Sequence, residues 1–107
     1  MSIAVALADL GATLADYPWG YLVSVTEEPR GHTLAVPTRF VDGAFTMQAG
    51  KGTLANVGVR PKATMVFPPD SGTGYSLIVD GEATVVGEEI TFTPTTAILH
   101  RPALGTS

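Results

Sequence analysis

The chain has 107 residues, 45% of them hydrophobic and 15% charged, with a formal net charge of −4 and no cysteine. That length holds one domain with a modest core. The composition is that of a folded chain rather than a disordered one, the acidic balance argues against nonspecific nucleic-acid binding and a membrane surface, and without cysteine there are no disulfides, thiolate metal sites or thiol nucleophiles.

The N-terminus carries no basic stretch and Asp9 interrupts its apolar run, so no signal peptide is expected, and no apolar run reaches membrane-spanning length. A cytoplasmic protein is the default expectation. Ile3, Leu7, Leu10 and Leu14 recur at helical spacing after Ser2, a candidate N-cap, and predict an amphipathic helix over 3–15 that Asp16-Tyr17-Pro18 ends. From Gly20 onward alternation with β-branched and aromatic residues takes over. It predicts six strands over 20–27, 32–41, 44–49, 63–67, 75–86 and 89–93. Glu28-Pro29-Arg30-Gly31, Asp42-Gly43 and Gly87-Glu88 read as hairpin turns, and Pro68 to Gly74 as a longer loop. One short helix over about 52–59 follows the third strand, and Gly81 inside a long strand signals a bulge or a barrel corner.

A sheet of this size must hide its edges, and closure into a barrel is the economical way in so short a chain. The expected fold is therefore a mainly β, six-stranded antiparallel split barrel with an N-terminal helix and one short helix after the third strand, in a single domain over 1–107. Val23, Val25, Val36, Phe45, Met65, Leu77 and Val79 are expected to fill its interior, which leaves ligands outside, most naturally between subunits.

The segment Met47 to Pro61 runs from the end of a strand through a Gly-rich turn into that short helix, and Lys51, Arg60 and the adjoining Lys62 are three of the six cationic residues. Free amides at a helix start, a lysine beside them and the Thr53 hydroxyl suit a phosphate, because the unsatisfied N–H groups and the helix dipole both favour negative charge. An ordinary strand-to-helix turn accounts for the same residues equally well.

The order of elements carries a resemblance. Trp-Gly-Tyr-Leu-Val-Ser-Val-Thr, Gly-His-Thr-Leu-Ala-Val-Pro, Gly-Lys-Gly-Thr-Leu-Ala-Asn, Arg-Pro-Lys-Ala-Thr-Met-Val-Phe and Ile-Val-Asp-Gly-Glu-Ala-Thr-Val, in sequence over residues 17–86, resemble the pyridoxamine 5′-phosphate oxidase-like, FMN-binding split-barrel family. The resemblance implies a homodimer with two flavin sites at the subunit interface. It implies that Val36, Pro37, Thr38 and Arg39 lie along the isoalloxazine ring, and that Lys51, Thr53 and Asn56 face the phosphate or open the helix beside it. Family members often carry a cation three residues before the helix asparagine; this chain has Thr53 there and its cation at Lys51. A hydroxyl donates a hydrogen bond but no charge, so FMN is held more weakly or the deazaflavin F420 is preferred. The chain also lacks the extended C-terminal region that holds the substrate in pyridoxamine phosphate oxidases, so pyridoxamine phosphate is not the expected substrate.

Other constellations fail. Gly50-Lys51-Gly52 has neither the glycine spacing nor the hydroxyl after lysine of a P-loop, and Gly74-Tyr75-Ser76-Leu77-Ile78 lacks the second glycine of a nucleophile elbow. His32 and His100 are far apart and have no carboxylate at ligand spacing, so no zinc site is expected. Trp19, Tyr17 and Tyr21 read as core or dimer contacts, and Asp80 and Glu82 as solvated charges. Two functions stay open: an FMN- or F420-dependent oxidoreductase, whose cofactor carries the chemistry so that no catalytic acid or base need appear, and a non-catalytic carrier of flavin, F420 or a tetrapyrrole. A cofactor-free interaction dimer is a third.

Overall fold

The computed structural model describes residues 1–69 and 74–103. It is a mainly antiparallel sheet, curled into a split half-barrel, with a short N-terminal helical segment and one further helix. Strands β1 (Ser2–Val5), β2 (Trp19–Val25), β3 (Gly31–Pro37), β4 (Phe40–Val41), β5 (Ala44–Gln48), β6 (Lys62–Phe67), β7 (Ser76–Val86) and β8 (Glu89–His100) join helices α1 (Leu10–Thr13) and α2 (Lys51–Val59). The strands are ordered β3-β2-β6-β7-β8-β5-β4, and β1 adds to β8. Every ladder is antiparallel.

The expected split barrel and both helices are present, and four details differ. Residues 3–15 are not one helix. Ser2–Val5 pairs with Ala97–His100 as β1, and the Ser2 hydroxyl meets His100 Nδ1 at 2.9 Å instead of capping a helix. Helical structure is confined to α1 and its flanking 3-10 turns, where Leu10 and Leu14, four residues apart, both reach the core. The β-branched Ile3 and Val5 alternate like strand residues, and the free edge of β8 decides the matter.

Second, the strand expected over 32–41 breaks after Pro37 into β3 and β4. The Thr38 N–H donates to the Pro18 carbonyl at 2.9 Å, the Thr38 hydroxyl donates to the Tyr17 carbonyl, and the Arg39 carbonyl accepts from the Thr46 N–H at 3.0 Å. Third, the last strand runs on to His100 rather than ending at 93, with β7 along one edge and first β5, then β1, along the other. Fourth, closure is incomplete: no ladder joins β3 to β4 or β5 among the described residues. The turns at Asp42-Gly43 and Gly87 follow expectation, with φ of 53°, 81° and 64°. In the expected 68–74 loop, residues 70–73 lie outside the described ones.

The core is built on phenylalanines. Phe45 lies 4.7 Å from Phe40, 5.6 Å from Phe67 and 6.0 Å from Phe92 between ring centroids, and the Tyr17 ring meets the edge of Phe67 at 6.4 Å. Burial of Tyr17, aided by the charge of Asp16, raises its pKa, and its hydroxyl donates to the Tyr75 carbonyl at 2.7 Å. Two glycines make room for the rings. A Cβ at Gly20 would lie 2.5 Å from the Phe67 ring, and one at Gly81 would lie 2.8 Å from the Phe92 ring and overlap the Thr93 carbonyl oxygen. Gly81 also marks the expected bulge: Asp80 pairs with Thr96 but Gly81 pairs with Pro94, which leaves Thr95 as the extra residue. The bulge is also where a proline is tolerated inside a long strand.

On β2, Gly20, Leu22 and Ser24 point into this core, so Val23 and Val25, expected inside, lie on the opposite face and are half-buried. Val36, Phe45, Met65, Leu77 and Val79 are buried as expected.

Helix α2 closes one end of the core with Val57 and Thr53. Asn56 Nδ2 donates to the fully buried Ser24 hydroxyl at 3.3 Å, and Arg60 Nε donates to the Val25 carbonyl at 2.7 Å, so two polar bonds lock α2 to β2.

Gly81→Ala is expected to lower unfolding stability by about 1–3 kcal/mol through overpacking, whereas Gly58→Ala, exposed on α2 with open space around its Cβ, should be neutral or stabilising by up to about 1 kcal/mol. Urea melts of the two variants check this. In the same assay Asn56→Ala should cost about 1–2 kcal/mol, because it leaves the Ser24 hydroxyl buried without this partner.

Candidate functional site

The anion seat is expected at the head of α2. Gly50 is the N-cap in an extended conformation with no side-chain capping bond, and the first turn holds no acidic residue. Apart from its chain neighbours and the adjoining helix backbone, no atom of the described residues lies within 4 Å of where a Cβ on Gly50 or Gly52 would be, and Lys51 is exposed as the first helical residue. The head of α2 thus combines opening amides without a side-chain cap, no acidic residue and an exposed lysine, features that favour an anion. Because the far end of α2 is fixed to β2 through Asn56 and Arg60, the seat is held by the sheet.

The residues expected to touch a cofactor divide by what they still offer. Lys51 is free to reach a ligand. Thr53 is 3% exposed, so its side chain belongs mainly to the helix–sheet interface. Asn56 is half-buried and committed to Ser24. At the end of β3, Pro37 and Arg39 are exposed, whereas Val36 is 5% exposed and contributes backbone at most. Thr38 spends both its N–H and its hydroxyl proton on Pro18 and Tyr17.

Val36 and Pro37 pair with Gly20 and Trp19, whereas Asn56 contacts β2 at Ser24, four residues further along. That is about 13 Å of strand. Edge position gives β3 a second resource: among the described residues it pairs only with β2, so alternate backbone N–H and C=O groups along it have no ladder partner.

The face of the sheet away from the phenylalanines holds two features that the sequence reading passed over. The registers align Ala35, Tyr21, Val66, Ile78, Ile98 and Ala4 across six strands in one apolar row, with Trp19 packed edge-on to Tyr21 at 5.1 Å. Beside this row, around Thr64 and Asp80, lies a polar hollow. A signal for the row was present in Met65-Val66-Phe67 and Leu77-Ile78-Val79, continuous apolar runs of the kind expected of strands covered on both faces. Among the described residues no group of three or more histidine and acidic side chains is placed to hold a metal, and no helix is long and apolar enough to cross a membrane.

No family model matches the sequence. Two mycobacterial relatives do, an uncharacterized protein of Mycobacterium bovis and one of Mycobacterium tuberculosis. Each is 36% identical over 116 aligned positions that cover 92% of this chain and 82% of the relative. Among solved structures, a candidate pyridoxamine 5′-phosphate oxidase of Listeria innocua superposes with a TM-score of 0.72 at 17% identity, over 87% of this chain and 96% of its own. An FAD-binding protein of Mycobacterium smegmatis gives 0.65 at 16% identity, over 94% and 100%. An F420 reductase gives 0.65 at 14% identity, over 79% and 93%. The chain thus belongs to one family with the two mycobacterial proteins and has the split-barrel fold of the pyridoxamine 5′-phosphate oxidase-like proteins.

Proposed function

We propose that the chain is a flavin-binding protein of oxidoreductase type, a cytoplasmic homodimer with FMN as its flavin. The observation that carries this reading is the head of α2, uncapped, free of acidic residues and led by exposed Lys51. The flavin- and F420-related proteins that share the fold support the ligand class.

When bound, the flavin supplies hydride and electron transfer. The chain's own part is to bind and orient it. Lys51 and the opening amides of α2 hold the phosphate by charge-assisted hydrogen bonds, and the anchoring of α2 to Ser24 and Val25 keeps that seat from shifting. Unladdered backbone groups along β3, with exposed Pro37 and Arg39, border the ring and set its orientation. F420 is the second reading, favoured by uncharged, buried Thr53 at the position where the resemblance expects a cation.

The apolar row across β3, β2, β6, β7, β8 and β1 supports the dimer. Such a face exposed on a monomer is unfavourable, and a second copy laid over it removes it from water. Light scattering is expected to give twice the chain mass, with an interface above about 1,000 Å² in a structure of the assembly. A concentration-independent monomer mass overturns the dimer and the interfacial cofactor with it.

The phosphate seat is tested by titrating FMN and F420 into wild type and variants and following the visible absorption spectrum. Lys51→Ala is expected to lose about 1.5–3 kcal/mol of FMN binding, about one to two decades in Kd, with the fold intact. Lys62→Ala, beyond Pro61 and away from the helix head, should bind nearly as wild type does. Equal affinities for wild type and Lys51→Ala, or no flavin binding by wild type, overturn the reading.

A further inference from the structure

The bulge at Asp80 and Gly81 borders a hollow of about 540 Å³ on the sheet face opposite the phenylalanine core, a volume within the range of small-molecule sites. Backbone at Ala63 and Gly81 forms its floor, and Val23 and Val25 form an apolar wall. Next to the valines in strand order come the polar residues Thr64 on β6, Asp80 on β7 and Thr95 on β8, with Lys62 and Glu82 at one end.

The protons of these polar residues are already assigned. The Thr64 hydroxyl donates to Asp80 Oδ1 at 2.6 Å, and the Thr95 hydroxyl donates to the Asp80 carbonyl at 3.1 Å. A hydroxyl has one proton and two lone pairs, and a carboxylate only accepts. Thr64, Thr95 and Asp80 therefore offer lone pairs to anything that enters. Lys62 and Glu82 sit directly opposite each other in the β6–β7 register and offset one another's charge, which leaves the Asp80 carboxylate as the net charge of the hollow. Hydrocarbon on one side with acceptors and one negative charge on the other calls for a donor-rich cation with an apolar body.

We propose that this hollow binds a small organic monocation, an alkyl- or arylammonium, whose N–H groups donate to the Asp80 carboxylate and the threonine oxygens while its hydrocarbon lies on Val23 and Val25. The site is separate from the head of α2 and does not depend on flavin binding. The bulge shapes it: the extra residue Thr95 brings its hydroxyl back to the Asp80 carbonyl while the Asp80 side chain bonds Thr64, so both hydroxyl protons are spent and their oxygens keep lone pairs for a ligand lying over β6 and β7.

The test is an amide-resolved NMR titration of the full chain with benzylammonium, benzyl alcohol and benzoate, three probes of similar shape and different charge. Benzylammonium should give saturable shifts at Val23, Thr64 and Gly81, and benzyl alcohol should bind at least about tenfold more weakly. Asp80→Asn should weaken benzylammonium by a similar factor, Thr95→Val by a smaller one, and Lys51→Ala not at all. Where Asp80→Asn does not fold, the comparison of benzylammonium with benzyl alcohol on wild type reads the same charge dependence. Equal binding of the alcohol or of benzoate, unchanged affinity in a folded Asp80→Asn, or no saturable shift at these amides because a second copy covers the hollow, each overturns the proposal.

Discussion

Two side-chain-free positions, Gly20 and Gly81, set the terms for the rest of this fold. Phe67 and Phe92 occupy the space where their Cβ atoms would be, so the aromatic core packs in this arrangement because these two strand positions carry no side chain. Close packing makes such a fit consequential, since interiors have little slack to absorb an added methyl group. From Gly81 the consequences run outward. The backbone of β7 lies against the Thr93 carbonyl, the register slips by one residue at Thr95, Pro94 is accommodated, and β8 extends far enough to receive β1. The same slip shapes the polar hollow on the opposite face.

Helix α2 has one end anchored to the sheet and the other open. Its far end is bonded twice to β2, through the Ser24 hydroxyl and the Val25 carbonyl. Its near end carries no side-chain cap and leaves open space where a Cβ on either glycine would lie. With glycine as the N-cap, the missing side-chain cap costs the helix only a few tenths of a kcal/mol, so the opening amides are left available at little expense.

The sheet has two unlike faces. One holds the phenylalanines, Leu22, Met65, Leu77 and Val79, buried within the subunit. The other carries a row of aliphatic and aromatic residues, half-buried at Tyr21, Val66, Ile78 and Ile98 and exposed at Ala35 and Ala4, next to a patch of threonine and carboxylate oxygens. A strand apolar on both faces is covered by its own core on one side only, and the apolar outer residues of β6 and β7 are the surface on which the proposed dimer rests.

The sequence by itself determined the fold class, the six main strands, the Asp42-Gly43 and Gly87 turns, the bulge at Gly81 and the short helix led by Lys51, because each depends on local conformational preference or on period-two alternation. It did not determine β1, whose four residues carry too weak a preference to outweigh the helical spacing of Leu7, Leu10 and Leu14 until the free edge of β8 is present. Nor did it determine which face of β2 is inside: Val23 and Val25 looked like core, but Gly20 must face Phe67, and alternation then places Leu22 and the polar Ser24 inward. In the same way Asn56 and Thr38 read as ligand contacts, and only the tertiary structure supplied the nearby partners, Ser24 and Tyr17, that take up their hydrogen bonds. Residue type fixes what a side chain can donate or accept, but which partner is within 3 Å depends on strands far apart in the chain being brought into register.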